Sequence, residues 1–141
     1  MFYLLLTTAC AGLFAGAALY INLVEHPARL SCGTEFALKE FAPSYARAAV
    51  MQATLALIGM AAGSYAWYLT RDAWVLVAAL LLGSVVPYTL IVMMPTNQPI
   101  LHPALDATPA EKMRLLNRWG RLHAVRTAAS LAAFVILLTR V

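Results

Sequence analysis

Four long runs of apolar residues constrain the fold of this 141-residue chain more than any other feature of its sequence. They cover about residues 2–24, 48–70, 73–94 and 122–139, and each is close to the roughly 20 residues that an α-helix needs to cross a bilayer. Charged residues make up only 11% of the chain, against about 25% in soluble domains. The sequence therefore predicts an all-α, integral membrane four-helix bundle that forms a single domain over residues 1–141.

Prolines and polar residues mark the expected ends of these spans. Glu25-His26-Pro27 follows the first span and the proline-rich stretch Pro95–Pro99 follows the third, so both helices are predicted to end there. Thr108-Pro109-Ala110-Glu111 has the spacing of a capping box, which predicts a polar helix that starts at Pro109 and continues into the fourth span. A short interfacial helix is expected over Thr34 to Phe41.

Two pairs of glycines have the spacing that lets helices approach each other closely. Gly12 and Gly16 lie in the first span, and Gly59 and Gly63 lie in the second. We expect both pairs to serve packing within the chain rather than dimerisation. The sequence does not indicate an oligomeric state.

The basic residues are distributed unequally between the two ends of the spans. Alternating spans place eight of the ten Lys and Arg residues at one end, and only Arg71 and Arg140 at the other. The positive-inside rule makes the basic end cytoplasmic, which predicts a bacterial inner-membrane protein with both termini in the periplasm. Because the same bias explains the net charge of +4, no nucleic-acid partner is expected.

The basic end of the first span carries a stripe of polar residues. Asn22, Glu25, His26 and Arg29 recur at the spacing of one helix face. All four can therefore face the interior of the bundle together, although a different role is favoured for Arg29. Arg29 is expected to belong to the arginines that anchor helices by extending towards the lipid headgroups, together with Arg114, Arg118 and Arg121.

A second polar stripe lies in the fourth span. Trp119, His123 and Arg126 share one helix face. A charge at the bilayer centre costs about 2.5–3.5 kcal/mol, so Arg126 requires a partner or water. Glu25 is the nearby carboxylate that the topology offers, and an ion pair between Glu25 and Arg126 is expected to join the first span to the last.

Three further residues are candidates for the same cavity. Arg47 stands at the head of the second span, and Asn97 follows the third. Tyr88, next to Pro87, is a candidate to line the cavity below a proline kink. Packing is the more common role for a tyrosine in such a position.

The two histidines also raise the question of a cofactor. His26, His123 and Glu25 contain the ligand types of a non-haem iron site, and two histidines are sufficient to ligate copper or haem. The sequence contains no HxxxH or HxxE pattern, so residue spacing supports none of these groups. The choice between no cofactor, a metal and haem stays open at this point.

Three short motifs resemble the anthrone oxygenase-like family of small four-span membrane proteins. They are Glu25-His26-Pro27-Ala28-Arg29, Met94-Pro95-Thr96-Asn97, and Arg118-Trp119 followed by Leu122 to Thr127. The resemblance implies the four-span fold. It also implies a reaction, because named members of the family oxidise a polycyclic anthrone to the anthraquinone with dioxygen.

If that reaction carries over, a lipophilic aromatic or hydroquinone-like substrate binds at the cytoplasmic ends of the helices. His123 or His26 then removes a proton, and Arg126 holds the resulting anion. The expected substrate-binding residues are Trp119, Asn97, Arg47, Asn22 and Tyr88. Two alternatives remain: a metal- or haem-binding protein without turnover, and a non-catalytic membrane subunit or small transporter in which Glu25, His26, His123 and Arg126 only lock the bundle.

The predicted topology can be tested with reporters fused to the C-terminus. Because this end carries few basic residues, we expect an alkaline phosphatase fusion to be active and a green fluorescent protein fusion to be dark. Fusions after residue 107, in the loop expected to be cytoplasmic, should give the opposite result. A fluorescent C-terminal fusion would contradict the orientation.

Overall fold

The computed structural model describes residues 1–102 and 105–141. Its α-helices are α1 (Phe2–Tyr20), α2 (His26–Ser31), α3 (Thr34–Thr70), α4 (Ala73–Tyr88), α5 (Met94–Leu101) and α6 (Pro109–Leu138). A first π-helical turn, Ile21–Glu25, joins α1 to α2, and a second, Thr89–Met93, joins α4 to α5. The all-α prediction is confirmed.

These helices form four continuous segments that are long and apolar enough to cross a membrane. Segment 1 is Phe2–Ser31, segment 2 is Thr34–Thr70, segment 3 is Ala73–Leu101 and segment 4 is Pro109–Leu138. Many large apolar side chains, such as Leu13, Ile91 and Val135, are exposed on the outside of the bundle. An apolar exterior of this kind is compatible with an integral membrane protein.

The four segments pack in a ring. Helices α1 and α4 each contact both α3 and α6, whereas the diagonal pairs have few contacts. Phe14, Leu82 and Leu137 are fully buried where the helices meet. The same ring brings the polar face of segment 1 against the polar face of segment 4.

The glycines of segment 2 allow its close approach to two neighbours. A Cβ atom at Gly63 would lie 2.7 Å from Ala79 Cβ and 2.9 Å from Thr7 Oγ1. The Thr7 hydroxyl donates a hydrogen bond of 2.6 Å to the carbonyl of Gly59. The expected packing role of this pair is confirmed. Gly16 differs, because a Cβ atom there would meet nothing within 4 Å.

Segments 1 and 3 do not end where the sequence predicts. They continue past Pro27 and Pro95, to Ser31 and Leu101. A proline inside an α-helix has no N–H to donate, and its ring clashes with the carbonyl four residues earlier. In both segments a π turn ends two residues before the proline.

The π turns keep the backbone hydrogen-bonded around these prolines. The His26 N–H donates to the Ile21 carbonyl, and the Met94 N–H donates to the Thr89 carbonyl, in each case five residues back. The wider turn moves the chain out of the α-helical register just before the proline, which then stands in the first turn of a new α-helix. This is why the predicted helix ends were wrong.

The segment from Thr34 to Phe41 is helical, but it is not the separate interfacial helix that the sequence predicts. It is the start of α3, which continues through Pro43 to Thr70. Phe41 is fully buried and packs edge-to-face on Trp119, with ring centroids 4.9 Å apart. This contact holds the first turns of α3 against the bundle.

The start of segment 4 follows the prediction. The Thr108 N–H donates to Glu111 Oε2 at 2.8 Å, and Thr108 Oγ1 accepts the Glu111 N–H at 3.3 Å. The two bonds form the expected capping box, and α6 begins at Pro109. The helix then runs without interruption into the apolar half of the bundle.

The difference between the two glycine positions gives a matched test of packing. Gly63→Ala should lower the stability of the protein in detergent by about 1–3 kcal/mol, because the added methyl group overpacks a tight contact. Gly16→Ala should leave stability unchanged or raise it by up to about 1 kcal/mol, through helix propensity. Melting temperatures of the two variants measure the difference, and equal shifts would contradict this account.

Candidate functional site

A cavity of about 160 Å³ lies inside the bundle beside the two π turns. All four segments contribute to its wall. Most of the wall is apolar, but part of it is formed by polar side chains. The wall residues with polar side-chain groups are Arg29, Ser44, Tyr45, Gln52, Thr89, Trp119, His123 and Arg126.

Asn22, in the first π turn, fixes the orientation of His123. Its Nδ2 donates to the Gly120 carbonyl at 3.0 Å, which directs its Oδ1 towards the other groups. That oxygen accepts the Thr127 hydroxyl at 2.6 Å and lies 2.7 Å from His123 Nδ1. Because an amide oxygen can only accept, His123 Nδ1 must carry the hydrogen.

This hydrogen bond leaves the other ring nitrogen of His123 as a base. In the neutral ring, Nε2 then has a free lone pair. His123 lines the cavity, and within residues 1–102 and 105–141 its Nε2 takes no hydrogen bond. The geometry therefore presents an unoccupied proton acceptor to a ligand in the cavity.

His26 has a different environment from the one that the sequence predicts. Its Nε2 donates to the Leu116 carbonyl at 3.0 Å, and its ring packs on Trp119 at 5.0 Å between centroids. Gly120 makes room for it, because a Cβ atom there would lie 2.8 Å from His26 Cδ2. His26 is buried but is not part of the cavity wall. The two histidines are near each other, yet only His123 faces the cavity.

Arg126 is buried without a carboxylate partner. Its Nη2 donates to Gln52 Oε1 at 2.8 Å, and its guanidinium carbon lies 5.4 Å from the centroid of the Phe14 ring. Across the described parts of the chain, no carboxylate forms an ion pair with it. The expected pair between Glu25 and Arg126 was therefore wrong.

Glu25 instead forms an ion pair with Arg29 and accepts the Ser44 hydroxyl at 2.5 Å. Arg29 also pairs with Glu40, with 2.7 Å between Nε and Oε2. Only 4% of the Arg29 side chain is exposed, so the expected headgroup anchor is in fact a buried cavity residue. The helix continues past Pro27 and carries Arg29 into the bundle, while the π turn directs Glu25 towards segment 2.

The remaining candidates lie at different distances from the cavity. Asn97 is buried behind the wall, and its Nδ2 donates to the hydroxyl of Tyr45, which lines the cavity, at 3.0 Å. Tyr88 donates to a backbone carbonyl of α6 at 3.2 Å and is not in the wall. Arg47 is exposed and bonds to a carbonyl of its own helix. The expectation that Arg47 faces the cavity was wrong.

Sequence reasoning missed three polar residues of the wall on segment 2: Ser44, Tyr45 and Gln52. A usable signal was present. Tyr45 and Gln52 precede Gly59 by fourteen and seven residues, which places them on the small-residue face that packs inward. The prediction relied on the charge of Arg47, which lies on the opposite, exposed face of α3.

The three predicted metal ligands are not arranged as one site. Among the residues that the structure describes, no group of three or more His, Cys, Asp and Glu side chains is arranged to hold a metal ion. Glu25 is bound to Arg29, and His26 is bound to a backbone carbonyl. The trio of His26, His123 and Glu25 therefore does not fit an iron centre. Copper or haem on the two histidines alone stays a prediction.

The chain matches the family model described as anthrone oxygenase over residues 41–136, which is more than half of its length. This chain belongs to the anthrone oxygenase family. The match includes Gln52, Trp119, His123 and Arg126, and it leaves out segment 1. The family resemblance drawn from the sequence motifs is confirmed.

One relative within the anthrone oxygenases is the anthrone oxygenase tpcL of Aspergillus fumigatus. It is 39% identical over 71 residues, which cover 47% of this chain. The chain spans only 43% of the length of this curated relative. No solved structure matches the chain.

The bond between Gln52 and Arg126 can be tested by stability. Gln52→Leu leaves the buried guanidinium without its acceptor and should destabilise the protein by about 1–3 kcal/mol. Gln52→Glu keeps an acceptor at the same place and should retain stability. Gln98→Leu, at an exposed position, is the matched control. Equal melting temperatures for Gln52→Leu and Gln98→Leu would show that the bond does not stabilise the fold.

Proposed function

We propose that this protein is a membrane-embedded oxygenase that acts on a lipophilic aromatic substrate, of the anthrone type, in the cavity beside His123. One observation carries the proposal: a histidine base with a free Nε2 and an arginine without a carboxylate partner line the same, mostly apolar cavity. Membership of the anthrone oxygenase family supports the reaction class.

The first step of this proposal is the removal of a proton from carbon. The CH2 group of an anthrone lies between two aromatic rings, opposite a carbonyl group. When His123 Nε2 takes one of its protons, the negative charge spreads to the carbonyl oxygen. Arg126 then stabilises this oxyanion, and it does so strongly because the surrounding wall excludes water.

The electron-rich carbon then reacts with dioxygen. A carbon–oxygen bond forms, and the resulting peroxide anion takes a proton, which the His123 imidazolium can return. Removal of the remaining C–H proton breaks the O–O bond and leaves a carbonyl group. The second oxygen atom departs with the two hydrogens as water. The sum is anthrone plus dioxygen giving anthraquinone plus water, and it requires no external reductant.

Asn22 and Gln52 act as positioning residues in this scheme. Asn22 holds His123 in the tautomer that presents a lone pair to the cavity. Gln52 holds the Arg126 guanidinium at 2.8 Å without neutralising its charge. A neutral amide leaves the positive charge available to an oxyanion, whereas a carboxylate in its place would compete with the substrate.

The proposed location is the bacterial inner membrane, with the cavity towards the cytoplasmic half and both termini in the periplasm. The excess of basic residues at the end that holds Arg29, Arg118 and Arg121 supports this orientation. The four membrane-length segments support insertion. The lipid bilayer and a lipophilic small molecule are then the expected partners.

The role of His123 can be separated from that of His26. With an anthrone as substrate, His123→Gln should reduce the rate of oxygen consumption by about 10²–10⁴-fold, the usual contribution of a general base. The melting temperature of the His123→Gln variant should change little. His26→Gln should keep most of the turnover and lower the melting temperature, because His26 binds the Leu116 carbonyl outside the cavity wall.

Two results would contradict the proposal. If His123→Gln lowers stability and the wild type consumes no oxygen with anthrones, the polar cluster only locks the bundle. If both histidine variants retain full turnover, the base is a different group.

A further inference from the structure

The cavity has an opening on one side of the bundle. Its wall on segments 1 and 4 is formed by buried residues such as Phe14 and His123. On segments 2 and 3 the wall includes Ala53 and Val86, which are partly exposed, and Leu90, which is 59% exposed. The opening therefore lies between α3 and the start of the second π turn.

The surface around this opening is apolar. Val50 and Leu57 on α3 and Ile91 on the second π turn are exposed beside it. All three lie within segments of membrane length. When the bundle is inserted in a bilayer, an apolar opening of this kind is expected to face the acyl chains rather than water.

The size of the cavity limits how much of a ligand it can enclose. In another protein, an engineered apolar cavity of about 150 Å³ holds a benzene molecule. The cavity here, of about 160 Å³, accordingly has room for one aromatic ring. A larger aromatic molecule must leave part of its skeleton in the opening.

The inner end of the cavity is suited to oxygen atoms. Gln52 Nε2, Trp119 Nε1 and Arg126 Nε are buried donors that have no hydrogen-bond partner in the described structure. All three residues line the cavity. Buried donors without partners are costly. The three atoms lie just behind the cavity surface, so a small side-chain movement would bring them to acceptor oxygens of a ligand and lower that cost.

We propose that the ligand enters sideways from the bilayer, between α3 and the second π turn, and binds with one oxygen-bearing ring inside the cavity and its apolar remainder in the opening. The choice of an aromatic ligand rests on the proposed function. The ligand class is thus an aromatic compound with carbonyl or hydroxyl oxygens at one end and fused rings or a hydrocarbon chain at the other.

The route can be tested by narrowing the opening in protein reconstituted into lipid nanodiscs. The probe is 1,8-dihydroxyanthraquinone, which is not turned over, and its binding is followed by quenching of tryptophan fluorescence. Ala53→Phe should weaken binding about tenfold to hundredfold, because the added ring occupies the place of the protruding part of the probe. Ile58→Phe is the matched control. Ile58 is an exposed residue of the same helix outside the cavity wall, and it lies five residues after Ala53 on another side of α3, so this variant should bind like the wild type.

A one-ring probe provides an internal control. 2-Hydroxyacetophenone carries the same pair of oxygens as one end of the larger probe, and it fits inside the cavity. Its equilibrium affinity should be unchanged in Ala53→Phe. The fold of this variant is checked first by its melting temperature, and Ala53→Leu replaces it, with the same expected order of affinities, if it unfolds.

Two outcomes would overturn the proposed binding mode, and with it the sideways route that rests on it: wild-type affinity of Ala53→Phe for the three-ring probe, or an equal loss of affinity for both probes in the folded variant. The proposed function is tested separately from the route. A protein that binds the probes as described but consumes no oxygen with anthrones would refute the oxygenase and leave the route intact.

Discussion

The site depends on the way in which this bundle satisfies its backbone hydrogen bonds around proline. A helix surrounded by lipid cannot leave N–H and carbonyl groups without partners. The two π turns meet this requirement just before Pro27 and Pro95. The first of them carries Asn22, which orients His123, and the second forms one edge of the opening. Thus the two π turns, which keep the backbone hydrogen-bonded around proline, also position His123 at the inner end of the cavity and one edge of its opening.

The two buried arginines of the cavity show how environment divides similar residues into different roles. Arg29 is paired with Glu25 and Glu40, so its charge is compensated. Arg126 has an amide and an aromatic ring as neighbours, neither of which carries a negative charge. An anionic ligand therefore gains more from Arg126, while Arg29 ties α2 to α3.

The sequence predicts the site well where the helix is regular. Segment 4 is one uninterrupted α-helix, so helical spacing correctly places Trp119, His123 and Arg126 on one buried face. In segment 1 the π turn inserts an extra residue into the turn, which shifts the faces after Asn22. A prediction from regular α-helical spacing does not include that shift. It therefore paired Glu25 with Arg126 instead of Arg29. Gln52 was missed because a neutral amide in an apolar helix gives a weaker signal than a charge.

The proposed opening towards lipid would also change what substrate concentration means for this protein. A hydrophobic ligand that reaches His123 between α3 and the second π turn is drawn from the bilayer, where it is enriched over the surrounding water. Dioxygen also dissolves better in hydrocarbon than in water. Both reactants would then be supplied from the same phase, and the relevant quantity for kinetics is their mole ratio to lipid. Adding lipid at a fixed amount of substrate would dilute the substrate without any change in the protein.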